Sequence, residues 1–166
     1  MMRRLGLFAI VVLLSACGLH SLYGGGADSP VTGLLRSVEV APIPGQPGWL
    51  VRTKLVERLG ETGRSSAQYR LDVTLDDNIT SYGLRASRAA TQERRRLRAR
   101  YQLVDLSNGA VVLDETAGSD ASVDVVSSAY ATVAAEQTAL ENLSGILADQ
   151  IVARLGIYAT RSVPRP

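Results

Sequence analysis

Residues 94–106 read RRRLRARYQLVDL. Leu97, Ala99, Tyr101 and Leu103 fall on one parity, and Arg94, Arg96, Arg98, Arg100 and Gln102 on the other. Successive side chains of a strand point to opposite faces. The stretch is therefore expected as a strand with one apolar face on a core and a row of arginines on the other face. Ser107, Asn108 and Gly109 follow as a hairpin turn signal. Val111 to Thr116 is expected to return as the partner strand. Upstream, Tyr69, Leu71, Val73 and Leu75 alternate with Arg70, Asp72, Thr74 and Asp76, which predicts a second half-buried strand. Asp77 and Asn78 are expected to bulge it before Ile79, and Tyr82 to Gln92 reads as an exposed connection. Gly118 to Ser122 reads as a loop, and Val123 to Val126 as a short strand piece.

Two periodic segments flank these strands. Val51, Leu55 and Leu59 recur every four residues, with Val56 beside them, predicting a helix over 49–59 that stops at Gly60 or Gly63. Leu140, Leu143, Leu147, Ile151 and Leu155 form one stripe, with Val133 extending it backward. That predicts a long helix over 128–155, capped by Ser127 or Ser128 and ended by Gly156. Glu136 falls on the apolar side of this helix, where its macrodipole or a sheet arginine would stabilise the carboxylate. Ser37 to Ile43 alternates as a short strand, stopped by Pro42, Pro44 and Pro47. The order strand, helix, three strands, helix gives an α+β fold. Its simplest form is a four-stranded, mostly antiparallel sheet with two helices packed on one face. The first strand–helix–strand passage reads as a parallel crossover.

The N-terminus is an address rather than part of the fold. Arg3 and Arg4 precede 12 uncharged residues, Leu5 to Ala16. A helix needs about 20 residues to span a bilayer. The run has the length of a signal-peptide core. Leu14, Ser15, Ala16 and Cys17 resemble a bacterial lipobox. The Cys17 thiol is then the lipidation site, and the acyl chains supply about 0.8 kcal/mol of anchoring per buried methylene. Gly18 follows the cysteine, which favours the outer membrane. Expected boundaries are a signal peptide over 1–16, an acylated cysteine and flexible tether over 17–33, one α+β domain over 34–159, and a frayed tail over 160–166.

The chain has 166 residues with 18 basic and 16 acidic side chains, a net charge of +2. Removing residues 1–16 takes Arg3 and Arg4 with it and leaves a formally neutral chain of 150 residues. Neutrality and periplasmic placement argue against a nucleic-acid partner. One Cys excludes an internal disulfide, and one His removes most histidine metal sites. His20 lies three residues after the anchor, out of reach of a formed cleft. Asp76 with Asp77, and Asp114 with Glu115, are neighbours on strands and point to opposite faces. No catalytic set, metal site or cofactor is expected, apart from the lipid on Cys17.

The arginine row is the candidate site. Arg94, Arg96, Arg98 and Arg100 share a face at roughly 7 Å spacing. The plain reading pairs them across the sheet with Asp72, Asp76 or Asp114. The other is a site for an anion, since a guanidinium bonds two phosphate oxygens at once. Phosphorylated lipid suits the compartment.

Three passages carry a family likeness. The opening LSACGLHSLYG (14–24) is similar to the CGFHPLYG opening of one group, with Leu19 and Ser21 in place of Phe and Pro. The second passage is the arginine strand ending at Tyr101 to Asp105. The third is Tyr130 to Glu136 leading into Leu147 to Ile151. In this order of parts the chain resembles the lipopolysaccharide-assembly lipoprotein (LptE-type) family, in its alphaproteobacterial form. The resemblance implies a non-enzymatic outer-membrane lipoprotein on the periplasmic face. Its implied partners are lipopolysaccharide and the β-barrel that exports it, whose folding it assists and whose lumen it plugs. The implied fold is a four-stranded sheet carrying two helices. Basic residues near the second and third strands are implied to contact lipopolysaccharide, the region of Arg94, Arg96, Arg98 and Arg100. An auxiliary lipoprotein of an ABC-type lipid transporter is the alternative, and a periplasmic hydrolase a more distant one.

Overall fold

The computed structural model describes residues 30–60, 67–84 and 90–162. The elements are α1 (Pro30–Arg36), β1 (Val38–Val40), α2 (Gly45–Leu59), β2 (Tyr69–Leu84), β3 (Ala90–Asp105), β4 (Val111–Asp124) and α3 (Ala129–Ser162). The four strands form one open sheet in the order β1-β2-β3-β4. β1 is parallel to β2 and joined to it through α2, whereas β2–β3 and β3–β4 are antiparallel. The fold class is the α+β sheet expected, with α1 as a third helix.

Parity sets the layers. Leu71 and Val73 of β2 and Leu97, Ala99, Tyr101 and Leu103 of β3 are buried on the inner face. Val51, Leu55 and Leu59 of α2, and Leu140, Leu143, Leu147, Ile151 and Leu155 of α3, are buried with them in one core. Each buried Val, Leu or Ile among them contributes about 1.5–3 kcal/mol by leaving water. The even-numbered residues of β2, β3 and β4 face the other way, where no described helix covers them. Gly109 closes the β3–β4 hairpin at φ +73°, a conformation that costs a side chain dearly. Gly60 ends α2 at φ +76° and donates its N–H to Val56 O.

Several boundaries differ from the sequence reading. β2 runs unbroken through Asp77 and Asn78, and β4 runs through Gly118 to Asp124 as one strand. Polar and small residues hold a strand there because each has a ladder partner on β3. Local propensity yields to pairing. The irregularity lies elsewhere, at Leu103 and Val104 opposite Val111 to Leu113. β1 is three residues long. α2 begins at Gly45, four residues early, because a proline in the first helical turn needs no amide donor. α1 starts at Pro30, inside the stretch expected as tether. α3 passes through Gly156 to Ser162 with Ala159 buried, so the expected frayed tail is helical at its start. Val133 is 61% exposed, so the buried stripe of α3 begins at Ala139 rather than at Val133.

Two helical glycines have opposite roles. A Cβ at Gly48 would sit 2.5 Å from the Ile43 carbonyl oxygen, whereas one at Gly156 would meet nothing within 4 Å. Gly48→Ala is expected to destabilise the fold by about 1–3 kcal/mol through overpacking, despite the better helix propensity of Ala. Gly156→Ala is expected to stabilise it by about 0.5–1 kcal/mol. Denaturant midpoints of the two variants check both signs.

Candidate functional site

The uncovered face of the sheet holds the arginine row where the two-residue period puts it. Arg94, Arg96, Arg98 and Arg100 are all exposed. The two ends of the row are ion-paired to β4. Arg100 reaches Asp114 through two bonds of 3.0 and 2.8 Å, and Gln102 adds a third to the same carboxylate. These donors hold the Asp114 carboxyl down to about 2, with the Arg100 bond the largest cause. At the other end Arg94 lies 3.6 Å from Asp120 and 5.5 Å above the centre of the Tyr82 ring. The Tyr82 hydroxyl bonds Ser122 across β3 at 3.0 Å. Tyr82 and Ser122 thus join β2 to β4 at the Arg94 end of the row, the distal end of the sheet, a contact that their place in an expected connection and loop concealed.

The centre of the row is different. Arg96 and Arg98 have no ion pair or hydrogen bond among the described residues. The acids expected opposite them are occupied or out of reach. Asp72 accepts from Arg70, and Asp76, directly across from Arg98 in register, makes no ion pair within 4.0 Å. The β4 residue opposite Arg98 is Gly118. A Cβ there would lie 3.0 Å from Arg98 Cγ, so the Arg98 stem packs over the bare backbone of β4. The result is a depression of about 620 Å³ lined by Arg96, Arg98, Asp76, Thr74, Thr116 and Gly118 among others. Of the four arginines singled out, two are therefore paired and two are free to bind an anion.

Arg95 is the member of the run that the row leaves out. It points inward and is 11% exposed, paired with Asp77, which is 19% exposed. Its Nη1 also donates to the Glu136 carbonyl of α3 at 3.1 Å. Glu93 accepts from Ser81 through Oε1, and its buried Oε2 has no donor. Burial first, and then Glu93 beside it, push the Glu136 carboxyl above its ordinary range, against the pull of Arg95. This group ties α3 to the distal sheet and is structural. The adjacent carboxylates diverge as expected: Asp77 and Glu115 face inward, Glu115 to Arg154, while Asp114 faces the arginine row. Cys17 and His20 lie outside the described residues. No described helix is long and apolar enough to cross a membrane.

The model of the lipopolysaccharide-assembly family LptE matches residues 35–155. A solved structure from Caulobacter crescentus CB15, described as a lipoprotein, is 27% identical and superposes with a TM-score of 0.67, covering 82% of this chain and all of its own. Rare lipoprotein B from Shewanella oneidensis superposes with a TM-score of 0.56 at 9% identity, over 75% of this chain and 96% of its own. The minor lipoprotein from Acinetobacter baumannii gives 0.56 at 15% identity, over 74% and 92%. No curated protein sequence matches.

Two carboxyls give pH effects of opposite sign. Asp114 is depressed, so its contribution is present above the ordinary carboxylate range and fades as pH falls toward about 2. Arg100→Ala should return the Asp114 titration, followed by carboxyl NMR, toward the ordinary value. Glu136 is raised, so its contribution is full in acid and is lost as pH rises through its folded pKa. Glu136→Gln should remove that decline, which begins at the ordinary glutamate range, from the stability profile.

Proposed function

The chain belongs to the lipopolysaccharide-assembly family LptE, and from that premise we propose that it works as a lipid-anchored lipoprotein of the outer membrane. Cys17 holds it to the inner leaflet of that membrane, on the periplasmic side. It forms a complex with the β-barrel that exports lipopolysaccharide, assists that barrel's assembly, and contacts lipopolysaccharide phosphates on the way to the outer leaflet. The protein binds and positions; it performs no chemistry of its own.

One observation carries this reading. Arg96 and Arg98 stand exposed at the centre of the row, unpaired among the described residues, in a chain whose net charge is only +2. A guanidinium's planar fork matches a phosphate, and charge-assisted bonds of this kind contribute about 1.5–3 kcal/mol each. The paired Arg94 and Arg100 flank the site.

Replacing Arg96 and Arg98 together with Ala should weaken lipopolysaccharide binding by the full chain in detergent about tenfold or more. The binding should also become less sensitive to salt. Stability should change by less than about 0.5 kcal/mol, because neither side chain has a partner to lose. Equal binding by the double variant would return the face to a solvated role. A tagged copy extracted in mild detergent should recover a large β-barrel; recovery of an inner-membrane transporter instead would overturn the partner assignment. Cys17→Ala should abolish lipid attachment, read by mass spectrometry, and release the chain from membranes.

A further inference from the structure

We propose that the centre of the arginine row recognises a phosphate that carries a cation beside it, with the phosphate on Arg96 and Arg98 and the cation on Asp76. This rests on reading the face as a phosphate-binding surface and specifies what it selects.

The argument starts from Asp76. It sits directly opposite Arg98 in the β2–β3 register and makes no hydrogen bond or ion pair among the described residues. Cross-strand neighbours of opposite charge ordinarily attract, and every other aspartate on this face of β2 and β4 has a partner. Asp72 holds Arg70, Asp114 holds Arg100 and Gln102, Asp120 faces Arg94, and Asp124 accepts from Gln92. Arg98, the neighbour of Asp76 in register, has its stem against β4 instead. Gly118 leaves room for Arg98 to lean toward β4, and a side chain at 118 would displace it.

The depression therefore presents two free guanidiniums and one free carboxylate. Asp76 lines the same depression as Arg96 and Arg98, so an anion seated on the two guanidiniums shares that depression with its carboxylate. A bare phosphate there is repelled by that carboxylate. A phosphate with a cation attached turns the repulsion into attraction and uses all three groups. Thr74 and Thr116, on either side, offer hydroxyls to phosphate oxygens. The cation has two chemical sources: an ammonium carried covalently by the headgroup, or a divalent metal ion shared between phosphates.

The test uses the full chain in detergent, isotopically labelled at arginine, with side-chain N–H shifts followed during titration. The probes are O-phosphoethanolamine, methyl phosphate, and methyl phosphate with magnesium. O-phosphoethanolamine should bind about threefold more tightly than methyl phosphate, the size expected of one exposed ion pair. If the cation is a metal, magnesium should tighten methyl phosphate binding by a similar factor. Asp76→Asn should erase the preference while leaving methyl phosphate binding equal or tighter. Wild-type binding that ignores both the amine and magnesium would overturn the inference and leave the phosphate reading standing. So would a preference that survives Asp76→Asn. Arg96→Ala with Arg98→Ala should lose every probe; if that variant binds all three as before, the phosphate reading itself falls.

Discussion

Everything about this face follows from what is buried behind it. Leu97, Ala99, Tyr101 and Leu103 of β3 pack against the leucine stripe of α3, and the core closes around that contact. Once one parity of a strand is buried, the other has nowhere to go but solvent. A slip of one residue would expose those side chains and bury Arg96, Arg98 and Arg100 without partners, at a cost of several kcal/mol for each charge. The arginines thus reinforce the register that displays them. The helices α2 and α3 occupy one side only, so the display is left uncovered among the described residues.

The same contact also has an end. β2 and β3 are 16 residues long, about 50 Å, and α3 with 34 residues is about as long. The leucine stripe covers only part of that length. Beyond Ala139 the interface turns polar, and Arg95, Asp77 and the Glu136 carbonyl take over from the leucines. A nearly buried pair of this kind adds little net stability compared with an apolar contact, but it is costly to break by halves. It fixes where α3 crosses the distal strands. Val133 and Ile79, exposed at 61% and 41%, mark how loosely apolar the contact has become there.

The proximal half of the fold was legible because its signals are periodic and strong. Strict alternation over Tyr69 to Asp76 and over Leu97 to Leu103, and the stripe from Leu140 to Leu155, named the sheet, the long helix and the exposed row of arginines. The distal half was not, because pairing there overrides composition. Asp77, Asn78, Gly118 and Ser119 look like breaks on their own and are strand only because β3 runs alongside. The site was half legible for the same reason. Parity gave the row, but which arginines are paired depends on diagonal contacts. Asp114 lies opposite Gln102 yet bonds Arg100, and Asp120 lies opposite Arg96 yet faces Arg94. The inward turn of Arg95 follows from the same period, but its partner Asp77 required a β2 without a bulge.

The distribution of partners leaves the centre of the row without electrostatic compensation among the described residues. Unit charges about 7 Å apart repel by at most about 0.6 kcal/mol in bulk water, and salt screens this further for exposed neighbouring arginines. Pairing relieves it at Arg94 and Arg100 and leaves it at Arg96 and Arg98. A sheet selected for stability alone would place uncharged β-formers at the centre, as it does at Thr74 and Thr116 beside them. It would also avoid glycine in the middle of β4, where the missing side chain weakens a strand. Instead, among the described residues, the chain keeps two cations without a partner, an unpaired aspartate across from one of them, and a glycine on the strand beside it. Each choice works against the isolated fold. Together they leave a depression lined by charges that the described residues do not neutralise.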